Sequence, residues 1–342
     1  MPFKIGLLAA ILGACAATVS AADYKIVDTI VVKGAARWDY LYVDGAGHRL
    51  YVTHGTQTEV IDTHTDKLIG TIPDTQGVHG VAIATDLGVG FTSNGASGTV
   101  GIFDLNSLKN TGSVKVGTNP DAIVYDPASH KVVTFNGKSA DASIIDAKTM
   151  QVVATVAVGG KPEFAVVAAN GKVYFNIEDT AQIAAINLST NKMEQPHSLK
   201  PCEEPTGLAI DDKQRLYSVC SNNLMMVSGT AGKIIAQLKI GSGPDGVAVL
   251  DDQAFSANGQ DGSLTAVGQV NGRFVSMATI PTQTGARTIA ADPATHRLYL
   301  PTADFLPATG QERRQGAVDT FRVLVLEKKS ATFYSAQPAI QP

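Results

Sequence analysis

The chain has 342 residues, 44% hydrophobic and only 17% charged, with 33 glycines. That much apolar material at so low a charge excludes disorder for the bulk of the chain. Twenty-seven basic against 31 acidic residues leave a formal charge of −4, which gives no global drive toward nucleic acid or anionic lipid. Three cysteines are too few for a disulfide scaffold.

Lys4 precedes an apolar run from Ile5 to Ala17, followed by the small residues Val19, Ser20, Ala21 and Ala22. A basic start, a short apolar stretch and an A-x-A-like end form the pattern of a secretory signal peptide over residues 1–21. Leu12-Gly13-Ala14-Cys15 offers an alternative, a bacterial lipobox in which Cys15 carries the lipid. On either reading the body of the chain is periplasmic or secreted. The run is shorter than the ~20 residues a membrane span needs. No later stretch approaches that length, so no transmembrane segment is expected.

From Tyr24 onward the chain repeats. Asp39, His79, Asp121, Glu163, Thr206, Asp245 and Arg287 each open a short stretch of small and apolar residues, at intervals of 40, 42, 42, 43, 39 and 42. Each unit reads as four short strands. In the third unit the strands are Ala122–Tyr125, Lys131–Phe135, Ser143–Ile145 and Val152–Val158, separated by turns rich in Asp, Asn, Gly and Pro. Four strands at a period near 41 predict propeller blades, seven of them, in an all-β fold. The seventh unit offers strands at Thr288–Ala291, Arg297–Leu300 and Phe321–Leu326 but no fourth. Val27–Gly34 matches the fourth strand of unit three, Val153–Gly160, position for position. It is therefore expected to complete the last blade and close the ring, leaving no exposed edge at the seam. A single propeller over residues 24–330 and a tail over 331–342 follow, and the ring is read as a monomer.

Leu50-Tyr51-Val52-Thr53, Leu298-Tyr299-Leu300 and the Asp-Pro-x-x-His-[Arg/Lys] turns before such strands resemble the YVTN-type repeat of YncE-like propellers. The resemblance implies a seven-bladed, extracytoplasmic propeller. Nucleic acid enters as a partner through it alone, since YncE-like members have been linked to DNA binding. WD40 is the neighbouring fold, but Trp38-Asp39 opens a first strand instead of closing a third.

Propeller geometry sorts the polar residues by face. Loops into the innermost strands and loops after the second strands share the channel-mouth face. Of the seven histidines only His54 and His79 fall there. Asp39, His79, Asp121, Glu163, Asp245 and Arg287 open innermost strands, so they are expected to crowd one ring and, with His54, to line a ligand pocket. Arg287 stands between Asp245 and Asp39 in ring order, placed to neutralise both. Imidazole beside carboxylates offers a divalent metal a mixed nitrogen and oxygen site at His79, Asp121 and Glu163. A second tier follows the second strands: His54, Asn94, Asn136, Asn176 with Glu178, Asn222, Asn258 and Thr302. On the same face, residues 303–318 form a long loop with Phe305, Arg313 and Arg314, read as a lid or partner contact. Cys202 and Cys220 both approach the mouth in the fifth unit, and an oxidising compartment pairs them as a disulfide.

Recognisable catalytic motifs are absent: no P-loop, no nucleophile elbow, no His-Glu-x-x-His and no dinucleotide fingerprint. The first expectation is a non-catalytic binding or scaffolding propeller that takes a protein or small molecule at its mouth. A metal-dependent hydrolase or lactonase at the same mouth comes second, and a DNA-binding propeller third.

Overall fold

A computed structural model describes residues 24–307 and 316–329. The expected signal peptide over 1–21 with Cys15, the arginines Arg313 and Arg314, and the expected tail 331–342 lie outside these residues.

The described chain is an all-β, seven-bladed propeller of antiparallel sheets. Blade 3 is representative, with strands Pro120–Asp126, Lys131–Asn136, Asp141–Asp146 and Gln151–Ala157 running outward from the channel. The hairpins between third and fourth strands turn on an acidic or amide residue. Asp62, Asp104, Asp146 and Asn187 each accept backbone N–H bonds from the following turn, as from Thr65 to Asp62 at 2.8 Å. The side chain replaces the missing ladder partner, which is why these types punctuate the sequence so regularly. Blade 4 departs from the pattern. Its outer strand breaks into Lys192–Met193 and His197–Ser198, with Pro196 in the gap where a ladder donor would be needed.

The ring closes as the repeat predicts. Tyr24–Val31 pairs antiparallel with Arg322–Lys328 and forms the outer strand of the blade containing Ala290–Asp292 and Arg297–Thr302. The strand starts and stops three residues earlier than the sequence match suggests. Lys33 and Gly34, at φ 68° and 80°, turn the chain inward toward the channel.

Seven hydrophobic clusters make up the core, one at each blade–blade interface. Phe135 and Ile144 of blade 3 pack on Phe175 and Ile186 of blade 4, for example. Tyr299, Val323 and Val325 of blade 7 pack on Leu50, Val52 and Ile61 of blade 1. The seam between the chain ends is thus buried like any other interface.

The backbone also positions the mouth. In blades 2 to 6 the innermost strand begins with a register shift against its neighbour, as between Pro120 and Ile123 or Pro162 and Ala165. Such bulges re-aim side chains, and the residues within or beside them are those that recur at the period near 41. Where these strands crowd the channel there is little room beside the backbone. A Cβ on Gly246 would lie 2.9 Å from the Cα of Thr288 in the next blade.

Candidate functional site at the channel mouth

The innermost-strand residues form one arc of contacts across five blades. Arg287 of blade 7 bonds the Asp245 carboxylate of blade 6 and lies 3.6 Å from Asp39 Oδ1 of blade 1. It is held in place by the carbonyl of Trp38, which its Nη2 reaches at 3.0 Å. The other Asp39 oxygen, Oδ2, lies 2.6 Å from His79 Nδ1 of blade 2. His79 Nδ1 in turn lies 3.9 Å from Asp121 Oδ1 of blade 3. Ligand atoms of Asp39, His79 and Asp121 all fall within 4.8 Å of one another. The His79 ring is pressed against the next loop, because a Cβ on Gly95 would sit 2.6 Å from its Nε2.

Glu163 does not belong to this trio, contrary to the expected metal set. Lys161, just before the strand, holds Glu163 Oε1 at 2.7 Å and also pairs with Glu178. Asp39 takes the place foreseen for Glu163. His54 does not join the ring either. It is 6% exposed, its Nδ1 bonds Glu59 at 2.9 Å, its Nε2 reaches the Ala35 carbonyl at 2.5 Å, and its ring stacks on Phe321. Both imidazole nitrogens are committed to the scaffold.

Two aromatic residues that the ring reading passed over reach each other between blades 1 and 4. Tyr40 of blade 1 and Phe164 of blade 4 meet edge to face at 4.7 Å between centroids. Tyr40 is buried, with its hydroxyl 3.5 Å from Glu163 Oε2. A signal for both was present. At the position after the ring residue, units two, three, five and six carry Gly80, Ala122, Gly207 and Gly246, whereas units one and four carry Tyr40 and Phe164. Two bulky groups among small ones stand out.

The asparagine tier supports the backbone of the ring. Asn176 Nδ2 donates to the Thr206 and Gly207 carbonyls, and Asn136 Nδ2 donates to Asp141 and Ser143. Phe305, assigned above to a partner loop, instead packs on Trp38 at 6.2 Å and pairs through its backbone with Gly316. It pins the base of the loop, while Leu306 and Val318 beside it are exposed. Cys202 and Cys220 are disulfide-bonded within blade 5, with Cα atoms 5.4 Å apart.

Burial dominates the electrostatics of the mouth. It pushes the Asp121 carboxyl up to about 7, reinforced by the charge of Asp39 and opposed by His79 and Lys161. Burial likewise pushes Glu163 up to about 8, with Asp121 adding to it and Lys161 opposing. For His79, burial disfavours the charged imidazole, but the hydrogen bond to Asp39 and the surrounding carboxylates outweigh it, and its pKa is raised. Tyr40 is held well above the usual phenol value, by burial and then by the carboxylates around it. The arrangement can hold protons near neutral pH, a cation among Asp39, His79 and Asp121, or a ligand that replaces those protons.

No family model and no curated protein sequence matches the chain. Solved structures match in fold. "Kuenenia stuttgartiensis Hydrazine Synthase" is similar at TM-score 0.67 and 14% identity, over 79% of this chain and 94% of that one. "Crystal structure of RRP9 WD40 repeats" gives 0.75 at 9% identity over 89% and 100%, and "Structure of U3-55K" gives 0.74 at 9% over 89% and 99%. At such identities the likeness is one of propeller architecture. Among the described residues no helix is long and apolar enough to cross a membrane.

Proposed function

We propose that this chain is an extracytoplasmic, YncE-like propeller that acts as a binding module and takes a positively charged ligand in its channel mouth. One observation carries the reading. Among the described residues, Asp39, Asp121, Glu163 and Glu178 gather at the mouth with Arg287 and Lys161 as the permanent cations paired to them, beside the edge-to-face pair of Tyr40 and Phe164. A cup lined by carboxylates favours a cation. The disulfide in blade 5 and the signal-like leader support an oxidising compartment. The same acidity repels a phosphate backbone, so duplex DNA is not the ligand we assign to this face.

The test uses two probes, the polyamine spermidine and a lysine- and arginine-rich nonapeptide, titrated calorimetrically into the wild type and into Asp39→Asn/Glu163→Gln. The expected result is binding of at least one probe, weakened tenfold or more in the variant and by added salt. Equal binding to both proteins, or preference for an acidic peptide, would overturn the assignment.

A further inference from the structure

We infer that Asp39, His79 and Asp121 form a binding site for a divalent first-row metal ion, which specifies the cation of the mouth and rests on that reading. The argument starts from the donor set. One imidazole nitrogen and two carboxylates, drawn from three adjacent blades, converge within 4.8 Å. Zinc bonds to nitrogen and oxygen run about 2.0–2.2 Å, so neighbouring ligands on a tetrahedral ion stand about 3.4 Å apart. The His79–Asp121 separation of 3.9 Å and the Asp39–His79 separation of 2.6 Å lie on either side of that value. Closing the first and opening the second, each by less than about 1 Å, makes room for the ion. In the metal-bound state the ion takes the position of the proton shared by Asp39 and His79.

A second observation is independent of the clustering. Asp121 Oδ1, the oxygen facing His79, is shielded from solvent and accepts no hydrogen bond. Buried polar atoms are nearly always satisfied, and a cation between this oxygen and the ring nitrogen would supply the missing partner. The surroundings supply the supports that metal ligands need. Arg287 lies 3.6 Å from the Asp39 oxygen that faces away from His79, and is itself anchored by Asp245 and the Trp38 carbonyl. Gly95, lacking a Cβ, leaves the room that the imidazole occupies. Such outer contacts orient the coordinating atoms. The imidazole favours zinc over calcium or magnesium, which prefer oxygen ligands, and the two carboxylates also suit manganese.

The experiment is elemental analysis of the mature protein, purified without chelator or metal-affinity resin, followed by zinc and manganese titration after chelator dialysis. The expected result is one ion per chain. Affinity should fall at least about 100-fold in His79→Ala and in the isosteric Asp121→Asn, and about tenfold in Arg287→Gln. Asp252→Asn, an exposed carboxylate outside the mouth, should stay within threefold of wild type. Less than 0.2 ion per chain after titration would overturn the metal site, and so would equal loss in Asp252→Asn. Spermidine or the basic peptide measured on the same metal-free protein separates the two readings. If the organic cation binds and the metal does not, only the present inference fails; if neither binds, both fail. Circular dichroism of each variant confirms the fold, and Asp121→Asn decides should His79→Ala not fold.

Discussion

Two histidine–carboxylate pairs lie on the same face of neighbouring blades, yet they do opposite things. At His54–Glu59 the side chains are 5% and 3% exposed, and every polar atom has a role. The Glu59 carboxylate takes bonds from His54, Gln57 and Thr71, and these outweigh burial and lower its pKa. At His79–Asp39 the pair is partly open to solvent, with side chains 27% and 18% exposed. Its third member, Asp121, keeps an oxygen without a donor, and burial raises its pKa. Residue types alone do not separate the two pairs. The number of donors per carboxylate oxygen does: a closed account makes a structural pair, and an open one leaves capacity for a ligand.

Breaking the closed pair should cost most. Glu59→Ala strands His54, Gln57 and Thr71 around an unfilled site, and removing one partner of a buried pair typically costs about 3–5 kcal/mol. Urea unfolding should show this loss, whereas a loss under about 1 kcal/mol would mean the pair is no more structural than the mouth. The next effect separates the pairs by pH. Glu163 and Asp121 have folded-state pKa values near 8 and 7, above the ordinary carboxylate range. The native state therefore retains protons that the unfolded chain has released, and stability falls as pH rises from about 4.5 to 8. Glu59 is shifted down, so its contribution is present above its unfolded pKa and is lost as pH falls through its folded one. We expect a decline on the order of 2 kcal/mol between pH 5 and pH 9, greatly reduced in Glu163→Gln. The acid limb of that variant should match wild type, and Glu59→Gln should show the reverse pattern. A flat profile above pH 5 in the wild type would contradict the open character of the mouth.

The architecture was legible because a ring is a strict constraint. Each blade must place its opening residue at one radius, so Asp39 through Arg287 had to recur at one period, and a unit short of a strand had to borrow Tyr24–Val31. The grouping within the ring was less legible, since it depends on side-chain rotation. His79 leans toward blade 1 and away from blade 4, and only coordinates reveal that. The pairing of Lys161 with Glu163 was not readable from alternation either, because Lys161 precedes the strand and the register shifts between Pro162 and Ala165. Tyr40 and Phe164, 124 positions apart, were readable as bulky exceptions at a small-residue position, though not as a touching pair. His54 was misplaced because a shared face was taken for a shared radius. Its commitment to Glu59 depends on burial that periodicity does not report.

The smallest expected effect is the most discriminating. Asp121→Asn in metal-free protein preserves shape and removes only the capacity to ionise. At pH 8 much of the wild type carries a charge at Asp121 beside Asp39, away from water and with one oxygen unbonded. The amide avoids that charge, so the variant should be about 1 kcal/mol more stable than wild type. At pH 3.5 the wild-type carboxyl is protonated in the folded chain and largely protonated in the unfolded chain too, and the two proteins should agree within about 0.5 kcal/mol. A stability difference that opens as pH rises from about 4 to 7 is the behaviour of a group retained for binding at a cost to the fold. If Asp121→Asn loses more than about 1 kcal/mol at both pH values, Asp121 is a satisfied structural acid like Glu59. The contrast between the two pairs would then collapse.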